Sequence, residues 1–97
     1  MNLAIRRYKV NAGAAEEVAK RAQAGFLPII SGAPGFLGYY LVNAGNDVVA
    51  TVSIFETAAQ AEGSVKMAAD WVKENLAALV SAPPEVTTGE VAFHKTK

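Results

Sequence analysis

Two adjacent arginines, Arg6 and Arg7, interrupt a short apolar segment early in the chain, and two adjacent tyrosines, Tyr39 and Tyr40, sit inside the run PGFLGYYLV. A guanidinium taken out of water holds a carboxylate or a ligand oxyanion, and a buried phenol seeks a hydrogen-bond partner. The single tryptophan, Trp71, offers a face on which a ring can stack, and the single histidine, His94, is the one imidazole able to move a proton near neutral pH. In a strand, consecutive side chains point to opposite faces, so one member of each pair faces one side and the other member the reverse. An enclosed arginine either pairs with a carboxylate, for which Glu56, Asp70 and Glu90 are available, or anchors a ligand. Structural roles compete for the rest. Trp71 lies one residue off an apolar helical seam, which suits packing at the edge of a core or dimer. Tyr8, Tyr39 and Tyr40 are ordinary strand residues, and Asp70 is an ordinary solvated helix residue.

The elements that must position these groups follow from hydrophobic periodicity. Leu3 to Val10 reads as a strand ended by the turn NAG. From Ala14 the period changes: Ala15, Val18, Ala19, Ala22, Phe26, Ile29 and Ile30 recur at three and four, with Glu16, Glu17, Lys20 and Arg21 on the wet side. Gly32 and Pro34 stop this helix. Phe36 to Val42 and Val48 to Phe55 are strands joined by the hairpin loop NAGND, whose polar residues a turn explains. Thr57 and Gln60 have the capping-box spacing and open a second helix, with a seam of Ala61, Val65, Ala68, Ala69, Val72, Leu76 and Leu79 that runs toward Pro83-Pro84. Val86 to His94 is the last strand, with Val86, Thr88, Glu90, Ala92 and His94 on one side.

The order βαββαβ is the ferredoxin-like α+β plan, a four-stranded antiparallel sheet with two helices on one face. The other face is left open. Strands two and three would present there either Leu37, Tyr39 and Leu41 or Phe36, Tyr40 and Val42, beside either alternate set of Val48 to Phe55. Each choice is too apolar for water, so a second copy of the sheet is expected to cover it, giving a homodimeric α/β barrel.

Composition agrees with that economy. Hydrophobic residues make up 52 % of the 97-residue chain and charged residues 19 %, an apolar surplus for one small domain spanning 1–97. Nine basic residues balance nine acidic ones, so no nucleic-acid partner is indicated. The absence of cysteine excludes disulfides, thiolate catalysis and cysteine metal sites, and no phosphate loop or metal-ligand cluster is visible. Apolar runs fall short of the ~20 residues of a membrane span. The opening MNLAIRRYKV puts basic residues where an export signal needs an apolar core, so a cytoplasmic protein without metal or cofactor is expected.

The βαββαβ order, PGF opening the second strand, VSIFE leading into the second helix and the tryptophan in that helix resemble the dimeric α/β-barrel superfamily. Within it the chain is most similar to antibiotic-biosynthesis-monooxygenase-type domains, close to small bacterial members that carry RRYKV, PGFLGYY and AADWVKENL. The resemblance covers nearly the whole chain, and its motifs mark fold and subgroup. It implies a homodimer with a cleft between helices and sheet in each subunit. Some such proteins oxidise aromatic or quinol-type compounds without metal or flavin, some degrade haem, and others have no assigned activity.

Haem-degrading members use an Asn in the first strand, a Trp in the second helical region and a His in the second helix. Here Trp71 matches the aromatic, but Asn2 lies at the strand edge, and the second helix has no histidine. Cofactor-free monooxygenases need a pocket that binds a ring, holds an oxyanion and moves a proton, using combinations of Asn, Tyr, Trp and Arg. By that resemblance the catalytic candidates are Arg7, Tyr40, Trp71 and His94, and the substrate-binding candidates Tyr39, Thr51, Ser53 and Trp71. The expected function is cofactor-independent oxygenation of a small aromatic or quinol-like compound. The alternative is a non-catalytic homodimeric ligand-binding or interaction module.

Overall fold

The segments of period two form strands and those of period 3.6 form helices, in the expected order. The computed structural model describes residues 1–97. Its elements are β1 (Asn2–Lys9), α1 (Ala15–Arg21), a π-helical turn (Ala22–Phe26), α2 (Leu27–Ser31), β2 (Phe36–Gly45), β3 (Val48–Phe55), α3 (Ala58–Asn75) and β4 (Glu85–Glu90). The strands make one sheet in the order β2-β3-β1-β4, with every neighbouring pair antiparallel. This is the ferredoxin-like arrangement.

Local chemistry explains the joints. The β2–β3 turn places Asn46 and Asp47 at φ 53° and 60°, the doubly left-handed geometry whose twist suits a two-residue hairpin. Asp47 then ties the hairpin to the exit of β1: its carboxylate accepts from the Gly13 N–H at 3.0 Å and its carbonyl from the Val10 N–H at 2.9 Å. The capping box at α3 forms as the spacing predicts. The Thr57 hydroxyl accepts from the Gln60 N–H at 3.2 Å, and the Gln60 side chain accepts from the Thr57 N–H at 3.1 Å. Gly35, at φ 77°, precedes β2, and a Cβ there would collide with the Gln60 side-chain amide. The turn entering β2 therefore depends on glycine for both its backbone and its space.

Several elements differ from the sequence expectation, and β2 runs on to Gly45 instead of ending at Val42, so that of NAGND only Asn46-Asp47 forms the turn. Helix α3 ends at Asn75, well before Pro83, because the following residues bond to the exit of β1 instead. Asn11 N–H donates to Leu79 O, Ser81 N–H donates to Lys9 O, and Val10 bridges Val80. Strand β4 ends at Glu90 rather than His94, since its last rung on β1 is Asn2↔Glu90 and only the Val91 N–H reaches further, to Met1 O. Residues 91–97 carry no regular structure, and His94 is exposed. The 15–31 helical stretch is not a uniform α-helix: a π turn inserts an extra residue at 22–26, which leaves Ile29, expected on the apolar seam, 48 % exposed.

Register settles which face is which. The helix-facing side carries Ala4, Arg6 and Tyr8 of β1 and Val49, Thr51, Ser53 and Phe55 of β3, all buried. Opposite them on β2 stand Tyr39, paired with Ser53, and Leu41, paired with Thr51. Neither alternating set expected for β2 is right, because the register shifts between Phe36 and Gly38. That bulge turns Phe36 inward together with Tyr39 and Leu41, against Phe55 at 5.9 Å between ring centroids. Gly38 does not mark a close approach, since an added Cβ would meet Ile54 Cδ1 at an ordinary 3.4 Å. The outer side carries Ile5, Arg7, Val42, Val52 and Ile54, with Tyr40 at 62 % exposure. No element of the chain covers it.

Candidate functional site in the helix–sheet cleft

Two neighbouring spaces lie between the helices and the sheet. The inner cavity is about 20 Å³, bounded by Val18, Ala22 and Phe26 from the first helical stretch, Trp71 and Val72 from α3, and Tyr8, Tyr39 and Thr51 from the sheet. It has room for a single water molecule. The outer cleft is about 440 Å³, between Val65, Ala69 and Lys73 of α3, Val86 of β4 and the Ala82–Pro83–Pro84 strap. Such a volume suits a small ring-bearing ligand. Arg6, Tyr8, Val72 and Val80 line both spaces, so they form the partition between them.

Arg6 is the chemically unusual residue. It is 1 % exposed, and its one hydrogen bond runs from Nη2 to Ser53 Oγ at 3.3 Å. Its Nε and Nη1 have no partner, nor does the nearby Thr51 hydroxyl. No carboxylate lines either space. The anticipated ion pair with Glu56, Asp70 or Glu90 does not form: Asp70 pairs instead with Lys66 at 3.5 Å, and Glu56 and Glu90 are exposed. Phe26 alone adds a compensating contact, its ring centroid 5.9 Å from Arg6 Cζ, near the limit for a cation–π attraction. Beside this charge stand the buried phenol of Tyr8 and the half-buried phenol of Tyr39. Burial pushes the Tyr8 hydroxyl above its usual 10.0, and Arg6 offsets part of that rise by its charge and its closeness to the phenol oxygen, although no guanidinium–phenol pair reaches hydrogen-bond geometry. Tyr39 is raised likewise by burial, again opposed by Arg6. Both are therefore neutral donors at physiological pH, flanking a fixed positive charge.

An aromatic wall faces these groups. The Phe26 ring meets Tyr39 at 5.8 Å edge-on and Trp71 at 5.6 Å tilted. The indole packs so closely on the π turn that a Cβ on Gly25 would lie 2.8 Å from Trp71 Cζ2. The backbone irregularity and the glycine together make room for the tryptophan.

The structure thus brings together Tyr39, Thr51 and Trp71 of the expected residues, with Ser53 one layer behind as the acceptor for Arg6. It separates the others. Arg7 points to the outer face, where its Nη1 lies 3.9 Å from Glu85 Oε1 with both side chains exposed. Tyr40 is on that same outer face, and His94 lines neither space. Alternation supplied two choices at each pair, and register takes the other one for arginine: Arg6 occupies the place expected of Arg7. Parity did not decide between them, since Arg6 shares its face with Asn2, Ala4 and Tyr8 and Arg7 shares its face with Leu3, Ile5 and Lys9. Tyr8 and Lys73 were not anticipated as cleft residues, and nothing in the sequence pattern of α3 distinguishes Lys73 from its other lysine, Lys66.

A ferredoxin-like domain with an aromatic-walled cleft between helices and sheet defines the class of protein. The chain belongs to the antibiotic biosynthesis monooxygenase family, whose description matches residues 1–69. No curated protein matches it by sequence. Among solved structures it is similar to a protein of unknown function, NE2512 from Nitrosomonas europaea, with 20 % identity, 99 % of this chain and 93 % of that one covered and a TM-score of 0.80. It is also similar to the haem degrader MhuD of Mycobacterium tuberculosis, at 21 % identity with 99 % and 100 % covered and a TM-score of 0.77. A third is the ActVA-Orf6 monooxygenase of Streptomyces coelicolor bound to nanaomycin D, at 19 % identity with 99 % and 91 % covered and a TM-score of 0.75. Identities this low establish a shared fold.

Haem does not suit the residues present here. The lone histidine, His94, lies outside the cleft, and no group of three His, Cys, Asp or Glu side chains could hold a metal ion. No helix is long and apolar enough to cross a membrane.

Proposed function

We propose that this chain is a homodimeric, cofactor-independent monooxygenase acting on a small aromatic or quinol-type compound in the helix–sheet cleft. One observation carries the reading: a buried arginine without a counter-charge stands at the wall of an apolar cleft large enough for a small ring, with neutral phenols beside it. In such a reaction the substrate's ionised ring supplies the electrons that reduce O₂. A ring C–H is converted to a carbonyl, one oxygen atom is retained and the other leaves as water, so that a phenol becomes a quinone and O₂ accepts four electrons. Arg6 stabilises the negative charge on the substrate oxygen, Tyr8 exchanges the proton, and Val65 and Ala69 of α3 with the Pro83–Pro84 strap hold the ring in the outer cleft.

Dimerisation belongs to the same reading. Ile5, Tyr40, Val42, Val52 and Ile54 form an uncovered apolar sheet face, and a second copy of that face would bury it. A second function is favoured by the small inner cavity, about 20 Å³ with Phe26 against Trp71: a ligand-binding module that holds its compound in the outer cleft without chemistry. Oxygen consumption over a panel of quinols and polyphenols separates the two. A monooxygenase consumes oxygen with at least one compound, loses that activity in Arg6→Met, and keeps it in Arg7→Ala. Quenching of Trp71 by compounds that cause no oxygen uptake would establish the binding module instead.

A further inference from the structure

A buried cation with no anion is costly. Taking a charge out of water requires compensation by an opposite charge and by hydrogen bonds to its remaining donors. At Arg6 the protein supplies one neutral hydroxyl, Ser53 Oγ, and leaves Nε and Nη1 without partners. The side chain is nevertheless held at the partition between the inner cavity and the 440 Å³ outer cleft. The other charged side chain lining these spaces is also a cation, Lys73, on the α3 side of the outer cleft. The titratable groups facing Arg6 are the phenols of Tyr8 and Tyr39, and neither supplies negative charge. The site therefore has a positive field, apolar walls and unused N–H donors.

We propose that the cleft selects an aromatic compound already ionised at neutral pH, and that Arg6 is the residue that determines this selectivity by holding the compound's oxyanion. The proposal rests on the reading of the cleft as a ligand site and narrows its ligand from aromatic molecules at large to aromatic acids. Lys73 draws the anion toward the cleft, the apolar strap and α3 enclose the ring, and the unpartnered donors of Arg6 complete the hydrogen bonding. The oxyanion can be a carboxylate or an acidic enol, which share planar geometry and delocalised charge.

Binding to the wild-type chain, read by quenching of its one tryptophan, tests this in two arms at pH 7. The first compares 1-naphthoate with its neutral isostere 1-naphthamide. The second compares ionised 2-hydroxy-1,4-naphthoquinone with 1,4-naphthoquinone. A charge-assisted hydrogen bond corresponds to a preference of at least about tenfold for the anion. Preference in both arms supports the shared oxyanion chemistry, and preference in one arm identifies the source as carboxylate or enol. Arg6→Gln abolishes the preference, while Arg6→Lys retains part of it. Equal affinity for charged and neutral members in both arms overturns the proposal, as does failure of all four probes to bind. An anion preference that survives in Arg6→Gln also overturns it. The wild-type comparison stands even if a variant fails to fold. Anion-selective binding without any oxygen uptake would remove the monooxygenase function and leave this selectivity intact.

Discussion

Replacing Arg6 with methionine should stabilise the free protein, although the residue is among the most buried in the chain. The guanidinium is 1 % exposed and makes one hydrogen bond, at 3.3 Å, to a neutral hydroxyl. Losing that bond and the 5.9 Å contact with Phe26 costs about 2 kcal/mol together. Against this stands the desolvation of a charge with no buried counter-ion, which amounts to several kcal/mol even after relaxation and water penetration. Methionine has a similar length, fills the same space and adapts to irregular gaps. The net gain should be about 1–2 kcal/mol, raising the melting temperature by roughly 4–16 °C for a domain of this size. Scanning calorimetry at fixed protein concentration, without ligand, measures it, because the proposed dimerisation would make melting concentration-dependent. A fall of several degrees would mean that Arg6 is satisfied within the protein, and the claim of an unmet anion site would fail with it.

Other consequences are smaller or more local. Gly25→Ala gains helix propensity but drives a methyl to 2.8 Å from the indole of Trp71, so it should destabilise by about 1 kcal/mol net and red-shift tryptophan emission; unchanged emission would contradict the packing. Thr57→Ala removes the N-cap of α3 and should lower stability by about 1 kcal/mol in urea titration. Ile5→Glu, at the centre of the outer sheet face, should convert a dimer to a folded monomer in sedimentation equilibrium, and a wild-type chain already monomeric at micromolar concentration would refute the dimer. Tyr8 and Tyr39 hold their protons more tightly folded than unfolded. Their contribution to stability is therefore full below pH 10.0 and lost as pH rises through the folded values, which alkaline unfolding followed by tyrosinate absorbance should show.

Much of the fold was legible in the sequence because each element carried its own local signal. The capping box at Thr57 and the shift from period two to period 3.6 after Val10 are short-range devices that appear where the residues place them, and the hairpin forms within NAGND, though its turn narrows to Asn46-Asp47. Element ends were less legible. Helix α3 stops at Asn75 because residues 79–81 bond to β1, a long-range competition that periodicity does not express. The site was legible by residue type but not by face. Both faces of the central strands are apolar, so alternation could not rank them, and the bulge after Phe36 breaks alternation altogether. Register with β3 decides that Arg6 and Tyr39 turn toward the helices while Arg7 and Tyr40 turn away.

The most direct test of the account is a crystal structure grown with 1-naphthoate. The carboxylate should sit within about 3 Å of the Arg6 guanidinium, with the naphthalene ring in the outer cleft between α3 and the proline strap. A carboxylate side chain of the protein paired with Arg6, or a naphthoate bound elsewhere with the cleft left to water, would contradict it.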